Sequence, residues 1–287
     1  MNIVDVIYPV VAIGGMGLIF GLGLGVASKK FAVPVDERVE KIKENLPGAN
    51  CGGCGFAGCE AFAKAVVNGE SKSNGCPVCN SSQVEAIATV MGITAEVGER
   101  KTAIIKCKGN HVNTKMRYEY TGITNCQDAH IVNGGPKTCA YGCLGFGSCE
   151  KSCSFDAITM VNGLAVVDKE KCKACGNCVL VCPRDIIHIG SYKTSYHVNC
   201  NSKDRGKDVK ASCTVGCIGC GLCIKQCEVD AITMSNNIAM IESTKCIACG
   251  KCKTKCPTKV INNLLDEVIK LPYTPISINV NNHTIDL

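Results

Sequence analysis

The sequence predicts an α+β protein assembled as a string of small units: one N-terminal helix suited to a membrane, a compact four-cysteine unit, and two tandem cysteine-rich modules. Three observations predict it. Cysteine fills 25 of 287 positions. An uncharged run of 22 residues, VIYPVVAIGGMGLIFGLGLGVA at positions 6–27, stands near the start. A block in the C-terminal half recurs at a constant offset of 74 residues, the mark of a repeated structural unit.

The apolar run is long enough to cross a hydrocarbon core as a helix, so residues 1–27 are read as a single transmembrane helix. A cleaved signal peptide would carry a basic segment before a shorter apolar stretch. Lys29 and Lys30 follow at once, and the positive-inside rule then places the C-terminal bulk on the cytoplasmic side. Gly17, Gly21 and Gly25 recur every fourth residue. They mark either a face for another membrane helix or an ordinary glycine-rich span. Residues 28–48 read as a tether in which Asp36 caps a short helix, DERVEKIKENL, that Pro47-Gly48 ends.

Residues 49–95 hold Cys51-x2-Cys54-x4-Cys59-x16-Cys76 within GANCGGCGFAGC and its continuation. Gly52, Gly53, Gly55 and Gly58 remove side-chain bulk and permit the positive φ values needed to wrap a cluster. Four soft thiolates at this spacing are read as a [4Fe-4S] site in preference to zinc. Cys79 is left unassigned. Ser82-Gln83-Val84-Glu85 matches a capping box opening a helix that Gly92 closes. Residues 96–138 form a connecting segment with a strand over 102–107.

The repeat defines two modules, 139–190 and 213–263, joined by a connector over 191–212 and followed by a tail over 264–287. Asp156-Ala157-Ile158-Thr159-Met160 returns as Asp230-Ala231-Ile232-Thr233-Met234. Cys172, Cys175, Cys178 and Cys182-Pro183 return as Cys246, Cys249, Cys252 and Cys256-Pro257. The spacing C-x2-C-x2-C-x3-C-P grips [4Fe-4S] cubanes in bacterial ferredoxins, the fourth thiolate going to the other cluster of a pair. Two tandem bacterial-type two-cluster ferredoxin modules follow. Zinc ribbons instead use two separated pairs. In the first module Cys172, Cys175, Cys178 and Cys153 form one set, and Cys139, Cys143, Cys149 and Cys182 the other. That second set is irregular, with Phe146 where the repeat has Cys220. In the second module the sets are Cys217, Cys220, Cys223 and Cys256, and Cys246, Cys249, Cys252 and Cys227. Five [4Fe-4S] clusters are thus expected. Cys107, Cys126, Cys200 and Cys213 remain, either as a sixth site closed across the flanks of the first module or as buried free thiols.

The formal charge of +6 is misleading, because an oxidised cubane with four thiolates carries −2 and five would bring the total to about −4. Lys251, Lys253 and Lys255 then read as screening for the clusters or as a dock for an acidic partner. Basic residues are dispersed without interleaved aromatics, so no nucleic acid is expected. The sequence has no Walker loop, GxSxG, HExxH or paired-carboxylate signature, and so no catalytic residue of its own. His111 and His197 lie near spare cysteines but lack ligand spacing.

The ordered combination of a glycine-rich membrane helix, GANCGGCGFAGC ending at Cys76-Pro77, and ferredoxin motifs resembles the B subunit of the Rnf family, covering nearly the whole chain. The resemblance implies an electron-transport subunit of an ion-translocating ferredoxin:NAD oxidoreductase in the bacterial cytoplasmic membrane, single-pass, with its soluble part inside. It implies soluble ferredoxin as electron donor, and other membrane and cytoplasmic subunits as partners. Flavin and nicotinamide chemistry would belong to those partners, together with Na+ or H+ movement. The iron–sulfur subunit of another respiratory enzyme, such as a hydrogenase or molybdenum oxidoreductase, would carry similar clusters but leave GANCGGCGFAGC unexplained.

Overall fold

The computed structural model describes residues 3–31, 36–193 and 196–263. The tail over 264–287 and part of the tether lie outside the described residues. Helix α1 (Ile3–Lys30) runs for 28 residues, about 42 Å at 1.5 Å per residue. Among its described side chains, Ile13, Leu18, Phe20 and Leu24 are exposed. A Cβ added at Gly17, Gly21 or Gly25 would meet nothing within 4 Å, so that face is bare. Among the described residues no helix is long and apolar enough to cross a membrane; the described side chains of α1 begin only at Val11.

Three short helices make the next unit: α2 (Glu37–Asn45), α3 (Cys59–Val67) and α4 (Ser81–Met91). Asp36 caps α2 by accepting the Arg38 N–H at 2.9 Å. The cap of α4 falls earlier than the sequence pattern suggests. Asn80 accepts the Gln83 N–H at 2.9 Å and Gln83 accepts the Asn80 N–H at 3.0 Å. Asn caps as well as Ser and has Gln three residues on, so it wins over Ser82 and Glu85. Gly92 ends α4 in the left-handed conformation, φ 67°. Val39, Ile42, Phe62, Val66 and Ile87 pack into one small core.

The first module contains β1 (Lys101–Ile105), α5 (Cys126–Val132), α6 (Ser148–Lys151), β2 (Ile158–Val161), β3 (Leu164–Val167), α7 (Asn177–Leu180) and β4 (Ile187–Ser191). The second contains β5 (Tyr196–Val198), α8 (Gly206–Ser212), α9 (Leu222–Lys225), β6 (Ile232–Ser235), β7 (Ile238–Ile241), α10 (Lys251–Lys255) and β8 (Ile261–Asn263). Among the described residues the strands form four antiparallel pairs: β1 with β4, β2 with β3, β5 with β8, and β6 with β7. Asn162-Gly163 joins β2 to β3 with φ of 47° and 70°, and Asn236-Asn237 joins β6 to β7 with 49° and 64°. Two consecutive positive φ values make the primed turn that matches strand twist.

Each module borrows its outer strand from a segment that the sequence reading treats as a connector. Ile105 stands opposite Ile187 and Val198 opposite Ile261, which are equivalent registers because 187 and 261 differ by the repeat offset. Thr102, Ala103 and Ile104 are buried on β1. Ala103, Ile104 and Ile105 favour packing against the module because their apolar side chains are buried there. Both cores pack aliphatic side chains directly against cysteines: Ile158, Ile186 and Ile187 in the first, Val198, Ile232 and Ile261 in the second.

Candidate metal centres

The N-terminal unit brings Cys51, Cys54, Cys59 and Cys76 around one cavity, closed by Pro47, Asn50 and Phe62. Asn50, at φ 46°, accepts the Cys59 N–H at 2.8 Å and so anchors the start of α3 to the loop. Gly58 adopts φ 131°, a conformation only glycine takes readily. Cys79 lies outside this set, and a hydrogen bond from it lowers Cys76 to about 6 while raising Cys79 itself.

In the first module Cys153, Cys172, Cys175 and Cys178 come together. Burial pushes Cys178 up to about 12, followed by the charges of Cys172, Cys175 and Cys153. The Ala103 N–H points at Cys172 Sγ at 3.4 Å and the Ala157 N–H at Cys153 Sγ at 3.3 Å. In the second module Ala231 N–H repeats the latter contact on Cys227 Sγ at 3.3 Å. There Cys246 and Cys249 surround Cys252, whose thiol burial pushes up, and Cys227 packs in the same core as Cys252. Cys217, Cys220, Cys223 and Cys256 line another cavity with Pro257 and Val260.

The remaining cysteines divide differently from the sequence reading. Cys126, and not Cys139, joins Cys143, Cys149 and Cys182 around a cavity walled by Leu144, Ala165 and Ile186. Burial raises Cys149 to about 12, with Cys143, Cys126 and Cys182 adding to the rise. The physical reason lies at Phe146, which has no sulfur to offer and packs its ring 5.0 Å from that of Tyr120. The segment carrying Tyr120 leads into α5, whose first residue is Cys126, and Ser148 accepts the Cys126 N–H at 2.9 Å. The fourth sulfur therefore arrives from outside the repeat. Cys139 turns instead toward Cys107, Cys200 and Cys213, and these four line a further cavity. Three members of the expected sixth set thus meet, while Cys126 does not join them.

Where burial raises the thiols, as at Cys107, Cys149 and Cys178, they stay protonated alone and ionise when a metal takes them, which fits a thiolate-held group. Four soft sulfurs around each cavity suit a cubane with four iron corners.

The N-terminal set abuts the first module. Asn177 Nδ2 donates to the Cys51 carbonyl at 3.1 Å. A Cβ on Gly53 would lie 2.5 Å from the Cys175 carbonyl oxygen, so only glycine fits there without moving backbone. Sequence reasoning explained Gly53 through cluster wrapping and gave no role to Asn177 or Asn50. Nothing in spacing alone marks such contacts between distant segments.

Three family models match the chain: "Putative Fe-S cluster" over residues 46–78, "4Fe-4S dicluster domain" over 216–260 and "4Fe-4S binding domain" over 165–188. Among curated relatives, the B subunit of the Na(+)-translocating ferredoxin:NAD(+) oxidoreductase complex of Acetobacterium woodii is 44% identical over 90% of this chain and 78% of its own. The B subunit of the proton-translocating ferredoxin:NAD(+) oxidoreductase complex of Clostridium ljungdahlii is 43% identical over 92% of this chain and 94% of its own. The B subunit of the ion-translocating oxidoreductase complex of Methanosarcina acetivorans is 39% identical over 89% and 97%. With cysteine cages of this kind and relatives matched across nine-tenths of its length, the chain belongs to the Rnf family of ion-translocating oxidoreductase complex B subunits.

Proposed function

We propose that the chain is the multi-cluster electron-transfer subunit of an ion-translocating ferredoxin:NAD oxidoreductase, taking electrons from reduced soluble ferredoxin and passing them toward the other subunits. The names of the relatives and the ferredoxin-type domains support this reading. The observation that carries it is the direct abutment of one cysteine cage on the next, at Gly53 against Cys175 and within each module. Each [4Fe-4S] cluster, when bound, accepts and releases one electron. Five cages hold them: Cys51, Cys54, Cys59 and Cys76; Cys153, Cys172, Cys175 and Cys178; Cys126, Cys143, Cys149 and Cys182; Cys217, Cys220, Cys223 and Cys256; Cys227, Cys246, Cys249 and Cys252.

The protein contributes spacing and shielding. Pro183 and Pro257 follow the cysteines that cross from one loop to the other cage of their module, which keeps paired cages close. Aliphatic walls exclude water from the sulfurs. Exposed Cys220 and Cys249 leave edges of the second module near solvent, where a soluble donor can approach. Residues 6–27 serve as a single membrane span with Lys29 and Lys30 on the cytoplasmic side, holding the cages at the bilayer surface beside membrane subunits.

The test is anaerobic mixing of the fully metallated chain with chemically reduced ferredoxin. Freeze-quench EPR should show the reduced-cluster signals of the chain growing within seconds as those of ferredoxin, recorded alone for comparison, decline. A fully metallated chain that dithionite reduces and ferredoxin does not would reject ferredoxin as donor.

A further inference from the structure

We propose that Cys107, Cys139, Cys200 and Cys213 hold a sixth [4Fe-4S] cluster, and that this centre bridges the two ferredoxin modules electrically. The inference rests on the relay reading above and adds a site that none of the matching family models covers, since their matches end at residues 78, 188 and 260.

The four cysteines form two equivalent pairs. Cys139 and Cys213 are related by the repeat offset, each standing four residues before the first cage cysteine of its module, Cys143 and Cys217. Cys107 and Cys200 each follow two residues after the last residue of the outer strands β1 and β5. Each module therefore supplies one cysteine from its strand and one from its loop. Small residues keep the space open on both sides: a Cβ on Gly142 would stand 3.5 Å from Cys107 Sγ, and one on the equivalent Gly216 would stand 3.9 Å from Cys200 Sγ.

The same pairs touch cages of both modules. The Cys143 N–H donates to Cys107 Sγ at 3.4 Å, and the Cys217 backbone neighbours Cys200 in the equivalent place. Cys143 belongs to the last cage of the first module, Cys217 to the first cage of the second. One electron leaving the cluster at Cys217 oxidises it by one and reduces the sixth centre by one. Onward transfer to the cluster at Cys143 restores the balance without making or breaking a covalent bond. Lys137 lines the same cavity, buried at 2% exposure, with Nζ donating to the Gly109 carbonyl at 2.8 Å and the Gly163 carbonyl at 2.6 Å. A buried cation beside thiolates favours the more negative, reduced form of a cluster.

The experiment uses the full chain in detergent, reconstituted anaerobically with iron and sulfide, with iron analysis, EPR redox titration and freeze-quench EPR. About 24 irons per chain are expected, four for each of six cubanes, against about 20 for Cys200→Ser. Lys137→Met should retain about 24 and lower the midpoint potential of one centre only. In Cys200→Ser, electrons supplied by reduced ferredoxin at the second module should reach the N-terminal cage at least about tenfold more slowly, as the lost intermediate lengthens the tunnelling gap. A wild-type count of about 20 with the five other sets loaded overturns the sixth site and leaves the relay reading standing. Loss of iron from the five sets instead overturns the relay reading itself. Unchanged transfer in Cys200→Ser rejects the bridge, and an unaltered set of potentials in Lys137→Met rejects the placement of that cation beside a cluster.

Discussion

A single substitution separates the two cages that sequence spacing confuses. Cys126→Ser should remove the EPR signal of one centre in the first module and about four irons, because the Cys126 sulfur stands with Cys143, Cys149 and Cys182. Cys79→Ser should keep every iron, since Cys51, Cys54, Cys59 and Cys76 already place four sulfurs around the cavity, which Cys79 does not line. Iron analysis alongside EPR distinguishes them. At His197, burial first and then Lys169 and Lys106 lower the imidazole to about 4 from the usual 6.5, and Nε2 has no hydrogen-bond partner among the described residues. The unfolded chain binds that proton more readily, so stability is complete above pH 6.5 and falls as pH drops toward 4, by up to about 3 kcal/mol. His197→Gln should flatten this part of the profile relative to wild type, read as the difference in denaturation midpoints at pH 5 and pH 7.

At the scale of elements, the repeat made most of the modules legible. The hairpins at Asn162-Gly163 and Asn236-Asn237 follow from turn chemistry, and each short helix opens after Gly147, Gly176, Gly221 or Gly250 and takes in the last cysteine of its run. The strand expected over 102–107 stands as β1, but its pairing with β4 was not visible and β5 was not foreseen, because β1 and β5 lie far in sequence from β4 and β8 and are only 5 and 3 residues long. The partition of Cys126 and Cys139 was missed for a related reason. The missing sulfur at Phe146 is replaced from about twenty residues upstream, where no spacing rule points. A signal did exist: carrying the 74-residue offset through Cys139 and Cys143 lands on Cys213 and Cys217, which pairs Cys139 with the sixth set. The joint at Gly53 offers a further test. Gly53→Val should load all its clusters yet slow reduction across the joint, since its side chain must push the Cys175 backbone and the cage behind it away. Freeze-quench EPR would register it, and wild-type kinetics would dismiss the joint as a conduit.

For the whole molecule, the units differ in what holds them together. The three-helix unit has its own aliphatic core around Ile42, Phe62 and Ile87, whereas the module cores are largely sulfur and the aliphatic groups against it. Chelation of iron should therefore abolish the strand signal in circular dichroism while much of the helical signal stays, because metal binding free energy is folding free energy in small metal domains. Removal of residues 1–27 should release the chain from the membrane fraction without changing its iron content. A truncated chain that still sediments with membranes would assign the attachment to partner subunits.

The pairing of Cys107 with Cys200 and of Cys139 with Cys213 has a consequence for assembly. Each module carries half a nest, two sulfurs facing outward with nothing to complete them. An excised module would be left coordinatively unsaturated at that edge, and two copies could saturate one another by docking face to face. In the intact chain the covalent link makes this docking intramolecular, so the mutual saturation no longer depends on protein concentration.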